Sequence, residues 1–112
     1  MSFTVITNPS FQVKIGFTAA QFRKLDGLYC RAAAAKVLNY RTVECDFEEE
    51  IASYTYYQSP HQPPFLQFII RRVGPQTMMF ELYKQGCGRI VKSGLFDRSF
   101  ERLEQEIEAL LP

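Results

Sequence analysis

The side chains that most often carry enzyme chemistry are sparse in this sequence. His61 is its one histidine, and it lies among the three prolines of residues 60–64. A catalytic Cys–His pair would require one of three distant cysteines to reach that segment, and a pair of catalytic histidines is impossible. We therefore expect no catalytic residue and no enzymatic activity.

A run of acidic side chains, Glu48 to Glu50, closely follows Asp46 and raises the question of a cation site. A calcium-binding loop needs a glycine turn and alternating oxygen ligands, and this run has neither. Asp46 and Glu49 instead match a capping box, and acidic residues in the first turn stabilise a helix. The sequence predicts a helix start here, with no metal ion and no cofactor.

Cys30, Cys45 and Cys87 are odd in number and widely spaced, which is typical of free thiols in a reducing compartment. The first residues lack the charged start and the apolar run of a signal peptide. No apolar stretch approaches the roughly twenty residues that a membrane-spanning helix needs. We expect a cytoplasmic protein that does not bind membranes.

Charge is unevenly distributed, although thirteen basic and twelve acidic residues almost cancel. Residues 65–96 contain five basic side chains and one acidic one, whereas residues 44–58 contain five acidic and no basic ones. The simpler interpretation is that the cations pair with acidic segments of the same domain or of a partner. A basic antiparallel sheet with aromatic side chains can also bind single-stranded nucleic acid, by stacking and phosphate contacts. In that alternative the nucleic-acid-binding residues are Arg71, Arg72, Lys84, Arg89 and Lys92.

The elements that position these residues follow from hydrophobic periodicity. With 112 residues, 46% of them hydrophobic, the chain fits a single domain over residues 1–112 with one core. Apolar side chains alternate over residues 11–17, which predicts a half-buried strand. Residues 3–6 are its candidate hairpin partner, because Asn and Pro in the connection favour a turn.

Two amphipathic helices are predicted. Thr18 and Gln21 match a capping box, and apolar residues at spacings of three and four then mark a long helix over residues 18–38. A second apolar stripe, which includes Ile107, predicts a C-terminal helix over residues 97–111.

Residues 40–58 admit two interpretations. The capping pattern and the spacing of Phe47, Ile51 and Tyr54 favour a short third helix. The density of tyrosine and β-branched residues favours strands instead. We prefer the helix, while parts of the segment could be extended.

The second half of the chain predicts a three-stranded antiparallel meander over residues 65–73, 77–84 and 88–96. The expected fold class is α+β, in which an antiparallel sheet, built from an N-terminal strand or hairpin and the meander, packs with two or three helices. The first meander strand is apolar on both faces, so either helices cover both faces or one face stays open for another chain. The candidate partner-binding residues are Leu66, Phe68, Ile70, Met79 and Tyr83.

The expected function is that of a small non-catalytic protein-interaction or regulatory module, such as a subunit or an assembly factor. Identical chains most often associate as two-fold dimers, so we expect a homodimer, or a complex with another protein, through that apolar patch. One alternative is a protein that binds single-stranded nucleic acid. Another is a small enzyme or ligand carrier, which would need a closed pocket containing a polar group of perturbed pKa.

Overall fold

A computed structural model describes residues 3–4 and 16–112 of the chain. Within them a single antiparallel sheet has six strands, and each strand pairs with its neighbours in strand sequence. Two helices accompany the sheet, so the predicted α+β class is confirmed. The elements are β1 (Phe3–Thr4), α1 (Ala19–Ala34), β2 (Tyr40–Asp46), β3 (Ile51–Tyr57), β4 (Leu66–Gly74), β5 (Thr77–Lys84), β6 (Gly88–Ser93) and α2 (Phe96–Glu108).

Helix α1 begins where the capping box predicts it. The Thr18 hydroxyl accepts a hydrogen bond from the Gln21 N–H at 3.1 Å, and the Thr18 N–H donates to the Gln21 side chain at 3.0 Å. The helix ends at Ala34, short of the predicted end at residue 38. Lys36 has a left-handed backbone with a φ of 62°, which turns the chain out of the helix. Leu38 then reaches the core from outside the helix and is fully buried.

The preferred third helix is wrong, because β2 and β3 form a hairpin and pair along their whole length. Asp46 does act as a cap, since its carboxylate accepts hydrogen bonds from the N–H groups of Glu48 and Glu49 at 3.1 and 3.2 Å. These bonds close the turn between the two strands instead of starting a helix. The strand-forming composition prevails because alternate side chains of both strands, such as Val43 and Tyr54, reach the core.

The predicted meander is present as β4, β5 and β6, but it belongs to a longer series of hairpins that begins with β2. Strand β6 ends at Ser93, before the predicted residue 96, and the chain then turns into α2. Helix α2 lies close to the predicted residues 97–111, and its stripe residues Leu103 and Ile107 are fully buried.

The predicted strand over residues 11–17 lies almost entirely outside the described residues, and so does half of its candidate hairpin partner over residues 3–6. Of that partner, Phe3–Thr4 forms β1 and pairs with the end of β2. Phe17 is described and fully buried, with its ring centroid 6.1 Å from that of Phe68. The hairpin itself remains a prediction.

The two helices lie on the same face of the sheet. Helix α1 meets it where the Tyr56 hydroxyl donates to the Leu25 carbonyl at 2.8 Å, and α2 meets it where the Phe96 ring lies 5.5 Å from that of Phe68. Paired residues of neighbouring strands share a face, and the pairing of Tyr56 with Leu66 therefore puts Tyr56 and Phe68 on one side. This helix-covered face forms the core with Val43, Cys45, Ala52, Tyr54, Tyr56, Leu66, Phe68, Ile70, Phe80 and Leu82.

We call the opposite side the open face, because neither described helix lies on it. It consists of the alternate residues of the same strands, which the cross-strand pairing places together. From β2 and β3 these are Tyr40, Thr42, Glu44, Asp46, Ile51, Ser53, Thr55 and Tyr57, and from β4 to β6 they include Gln67, Ile69, Arg71, Met79, Glu81, Tyr83, Arg89 and Lys92.

Candidate interaction face

A carboxylate on β5 organises the chemistry of the open face. Glu81 is only 4% exposed, although its side chain is acidic. Its carboxylate accepts a hydrogen bond from the Tyr83 hydroxyl at 2.9 Å and lies 3.6 Å from the Arg71 guanidinium. Its cross-strand neighbours are Ile69 on β4 and Lys92 on β6. Strands β4 and β5 therefore contribute to one polar cluster, and Lys92 of β6 is its cross-strand neighbour.

The hydroxyl of Tyr83 is a fixed hydrogen-bond donor in this cluster. Burial raises the pKa of Tyr83, and the hydrogen bond to Glu81 raises it further. The nearby cations Arg89 and Arg71 act in the opposite direction and do not reverse the effect. Tyr83 therefore stays neutral at physiological pH, and its bond to Glu81 holds both side chains in one arrangement.

Apolar side chains surround this cluster on the open face. Ile51 and Met79 flank Arg71 from the two neighbouring strands, and Ile69 lies beside Glu81. These three apolar side chains are half-buried. Tyrosine, methionine and arginine around an apolar centre are the residue types that protein interfaces favour.

The five predicted partner-binding residues do not form one surface. Leu66, Phe68 and Ile70 belong to the helix-covered face and are at most 2% exposed, so their assignment to an open face is wrong. The reason is the register of β4 against β5, which pairs Phe68 with Leu82 and Ile70 with Phe80 in the core. Met79 and Tyr83 do lie on the open face, where the partner-binding surface is predicted.

The five basic residues of the nucleic-acid alternative are also divided. Arg71, Arg89 and Lys92 lie on the open face. Arg72 pairs with Glu50 of the β2–β3 turn, and Lys84 pairs with Glu106 of α2 at 2.8 Å. The expected pairing of cations with acidic segments of the same domain is therefore seen for these two residues.

Sequence reasoning missed the aromatic end of the open face. Tyr40 of β2 and Tyr57 of β3 are cross-strand partners, with ring centroids 5.3 Å apart. Tyr40 is 41% exposed, and the Tyr57 hydroxyl lies 3.4 Å from that of Thr42. The available signal was the alternation of Tyr54 and Tyr56 with polar neighbours, which the helix interpretation of this segment obscured.

A second polar cluster lies between α1 and the helix-covered face. The Tyr54 hydroxyl donates to the Asp26 carboxylate at 2.6 Å, and the Arg41 guanidinium lies 3.4 Å from the same oxygen. Burial raises the pKa of Tyr54 far above its ordinary range, and the hydrogen bond to Asp26 adds to this effect. Asp26 belongs to α1, whereas Arg41 and Tyr54 belong to β2 and β3. The hydrogen bond and the ion pair among them therefore join α1 to the sheet.

The residues first considered for chemistry are dispersed. His61 is exposed in the loop before β4, Cys30 and Cys87 are exposed, and Cys45 is buried. Burial raises the pKa of the Cys45 thiol, with a contribution from Asp46, so this thiol is not activated. In residues 3–4 and 16–112, no group of three His, Cys, Asp or Glu side chains is placed to hold a metal ion.

Comparisons of the chain with known protein families, with curated proteins and with solved structures find no match. Neither helix of the described part combines the length and apolar character needed to cross a membrane. The open face, with its polar cluster and half-buried apolar side chains, is therefore the candidate functional site.

Proposed function

We propose that this chain is a small non-catalytic protein-interaction module that docks its partner on the open face. The observation that carries the proposal is the one-sided packing of the described helices. Met79, Tyr83 and the Glu81–Arg71 pair are left on a face that neither described helix covers.

The chemistry of this face supports binding more than catalysis. Its hydrogen-bonded cluster is already oriented in the free chain, so docking would require little ordering of Tyr83 and Arg71. Half-buried Ile69 and Met79 supply apolar contact beside it. A subunit or a regulatory protein needs this combination of an apolar centre and a few oriented polar groups.

A second copy of the chain is the first partner to test, because identical chains commonly meet as two-fold dimers. We expect light scattering to show a homodimer at micromolar concentration and a monomer for Met79→Lys. Met78→Lys is the matched control, since Met78 is the adjacent residue and belongs to the helix-covered side. Circular dichroism should show both variants folded.

A dimer that dissociates in Met78→Lys but persists in Met79→Lys would contradict docking on the open face. A monomeric parent would reject the homodimer. A photo-crosslinking residue at position 79 in the source cells then tests a heterologous partner, with position 23 as the control. Crosslinks that are equal at both positions would contradict the proposal.

Binding of single-stranded nucleic acid is the alternative function, because Arg71, Arg89 and Lys92 share the open face with Tyr83. Glu81 opposes it, since this carboxylate already contacts Arg71 and would repel phosphates. We expect weak or no binding of a labelled oligothymidylate at low salt. Tight, saturable binding that is lost when the three cations become alanine would favour the alternative.

We further propose that the chain acts as one domain in the cytoplasm. The described cysteines are free, and two of them, Cys30 and Cys87, are exposed. Exposed free thiols persist in a reducing compartment and are prone to oxidation outside it. Fractionation of source cells, with alkylation of thiols at lysis, tests the compartment, and a single cooperative transition in urea unfolding tests the single domain.

A further inference from the structure

Strand β6 is the last strand of the sheet, and within the described residues it pairs only with β5. Its outward backbone N–H and C=O groups therefore have no strand partner in this part of the chain. Side chains along Gly88–Ser93 are exposed or half-buried. An edge strand of this kind is a template for an extended segment of another chain.

The helix-covered side of this edge adjoins a groove of about 900 Å³, whose lining combines apolar side chains near β6 with polar and charged ones from α1 and α2. Val91 of β6 lines the groove together with Leu95, in the connection between β6 and α2, and Phe96, the first residue of α2. Leu95 is 63% exposed, more than any other large apolar side chain in the described residues. Alternate side chains of a strand added to β6 would lie beside Val91 and Leu95, where apolar groups are favoured.

The other side of the same edge is basic. Arg89 and Lys92 belong to the open face, both are exposed, and neither forms an ion pair within the described residues. Glu81, the cross-strand neighbour of Lys92, already contacts Arg71 and Tyr83. The intervening side chains of an added strand would therefore meet uncompensated positive charge.

This charge selects among possible occupants of the edge. A second β6, paired antiparallel so that the two strands overlap, would place Arg89 of each copy opposite Lys92 of the other, and opposed like charges destabilise strand pairs. An acidic segment would instead gain from both cations. The groove beside the edge is lined by cations and carboxylates together, among them Arg98 and Glu101 of α2, so Arg89 and Lys92 carry the preference for acidic side chains.

We propose that β6 binds an extended acidic peptide segment of a partner protein as an added strand. Its acidic side chains lie along Arg89 and Lys92, and the alternate apolar side chains lie along Val91 and Leu95. This inference rests on the proposed function as an interaction module, because it names the chemistry of a partner. It uses a surface beside Met79 rather than Met79 itself.

The probe is a fluorescein-labelled eight-residue peptide in which Glu and Val alternate, and its binding is followed by fluorescence anisotropy. Two further peptides carry N-methyl groups, one on every Glu and the other on every Val. In an added strand only one of these two sets of N–H groups points toward β6. We expect one methylated peptide to lose binding and the other to retain it.

The charge arm of the experiment uses Arg89→Glu combined with Lys92→Glu. We expect this variant to bind the Glu–Val peptide at least about tenfold more weakly, with the parent affinity falling as salt is raised. The matched control, Arg23→Glu combined with Lys36→Glu, changes the net charge equally at exposed sites on and after α1. It should bind within about twofold of the parent.

Three results would overturn the inference: undiminished binding of both methylated peptides, equal binding of a Lys–Val peptide, or equal loss in the two charge variants. An oligothymidylate that displaces the peptide at equal concentration would identify a general polyanion site and would also overturn it. Met79→Lys should bind the peptide normally. In Met79→Lys, loss of self-association tests the proposed docking on the open face. Peptide binding by the same variant tests the added strand on β6.

Discussion

Two buried tyrosines on β3 determine how α1 lies on the sheet. Tyr56 donates its hydroxyl hydrogen to the Leu25 carbonyl, and Tyr54 donates to the Asp26 carboxylate. Arg41 lies 5.7 Å above the Tyr54 ring while its guanidinium faces Asp26. Asp26 therefore connects α1 to both β2 and β3 through two different kinds of side chain.

Replacing Tyr54 with Phe should destabilise the fold by about 1 to 2 kcal/mol, because Asp26 loses a short hydrogen bond while the ring packing remains. Urea unfolding followed by circular dichroism measures the free energy. Tyr57→Phe is the matched control, since the Tyr57 hydroxyl makes only a 3.4 Å contact with Thr42. Its cost should be below about 0.5 kcal/mol. Equal costs for the two variants would contradict a special role for Asp26.

Glu106 of α2 pairs with two cations, of which Lys84 joins the helix to β5 and Arg102 belongs to α2 itself. Its carboxylate lies 2.8 Å from the Lys84 ammonium and 3.0 Å from the Arg102 guanidinium. The hydrogen bond from Lys84 is the main cause of a lowered pKa for Glu106, and burial acts in the opposite direction. The same bond raises the pKa of Lys84.

This lowered pKa predicts how stability depends on pH. The contribution of Glu106 is complete above its ordinary pKa of 4.5 and is lost as pH falls through the lower value of the folded chain. Between about pH 5 and about pH 3, the melting temperature of the parent should therefore fall more steeply than that of Glu106→Gln. Parallel curves for the two proteins would show that the pair with Lys84 contributes nothing.

At the scale of elements, residues 40–58 show that one local signal can serve two structures. A carboxylate that accepts hydrogen bonds from the N–H groups two and three residues later can start a helix or close a turn. The residue types around Asp46 do not distinguish these outcomes. The burial of Val43 and Tyr54 from the two paired strands does, and it depends on a sheet that forms elsewhere in the chain.

Helix α2 was predictable for the opposite reason. Its apolar residues recur at helical spacing, its other faces are charged, and no competing alternation is present. The stripe residues Leu103 and Ile107 are fully buried against the sheet. Helical periodicity predicts a helix reliably when all the apolar residues of a segment follow it.

Ile107→Asp should cost several kcal/mol, comparable with the whole stability of a small domain, because it places an unpaired charge in the core. Ile107→Val provides a milder test, with an expected loss of about 0.5 to 1.5 kcal/mol. Gln105→Asp controls for the helix propensity of aspartate, since Gln105 is exposed on the same helix. Denaturant melts in which the two aspartate variants behave alike would contradict the packing of α2.

At the scale of the whole molecule, the candidate site depended on information that no single segment contains. Strand β4 is apolar at both even and odd positions, so its composition does not say whether Phe68 or Ile69 faces the helices. The pairing of β4 with β5 puts Phe68 beside Leu82 on the helix-covered face and Ile69 beside Glu81 on the open face. The cluster of Glu81, Arg71 and Tyr83 likewise arises from pairing between strands. The sequence could predict the strands of this half, but not the face that each side chain occupies.

The unbroken order of the strands has a consequence for how quickly the chain folds. From β2 to β6 every pairing closes a short loop between adjacent strands, so each hairpin can form before the next without a long search. A sheet with such local pairing has a low contact order for a β-rich protein. We expect refolding from urea as a single exponential on the millisecond timescale, at the fast end for a sheet of this size. Stopped-flow fluorescence of the tyrosines measures the refolding rate, and a main phase that takes seconds would contradict rate control by the closure of local hairpins.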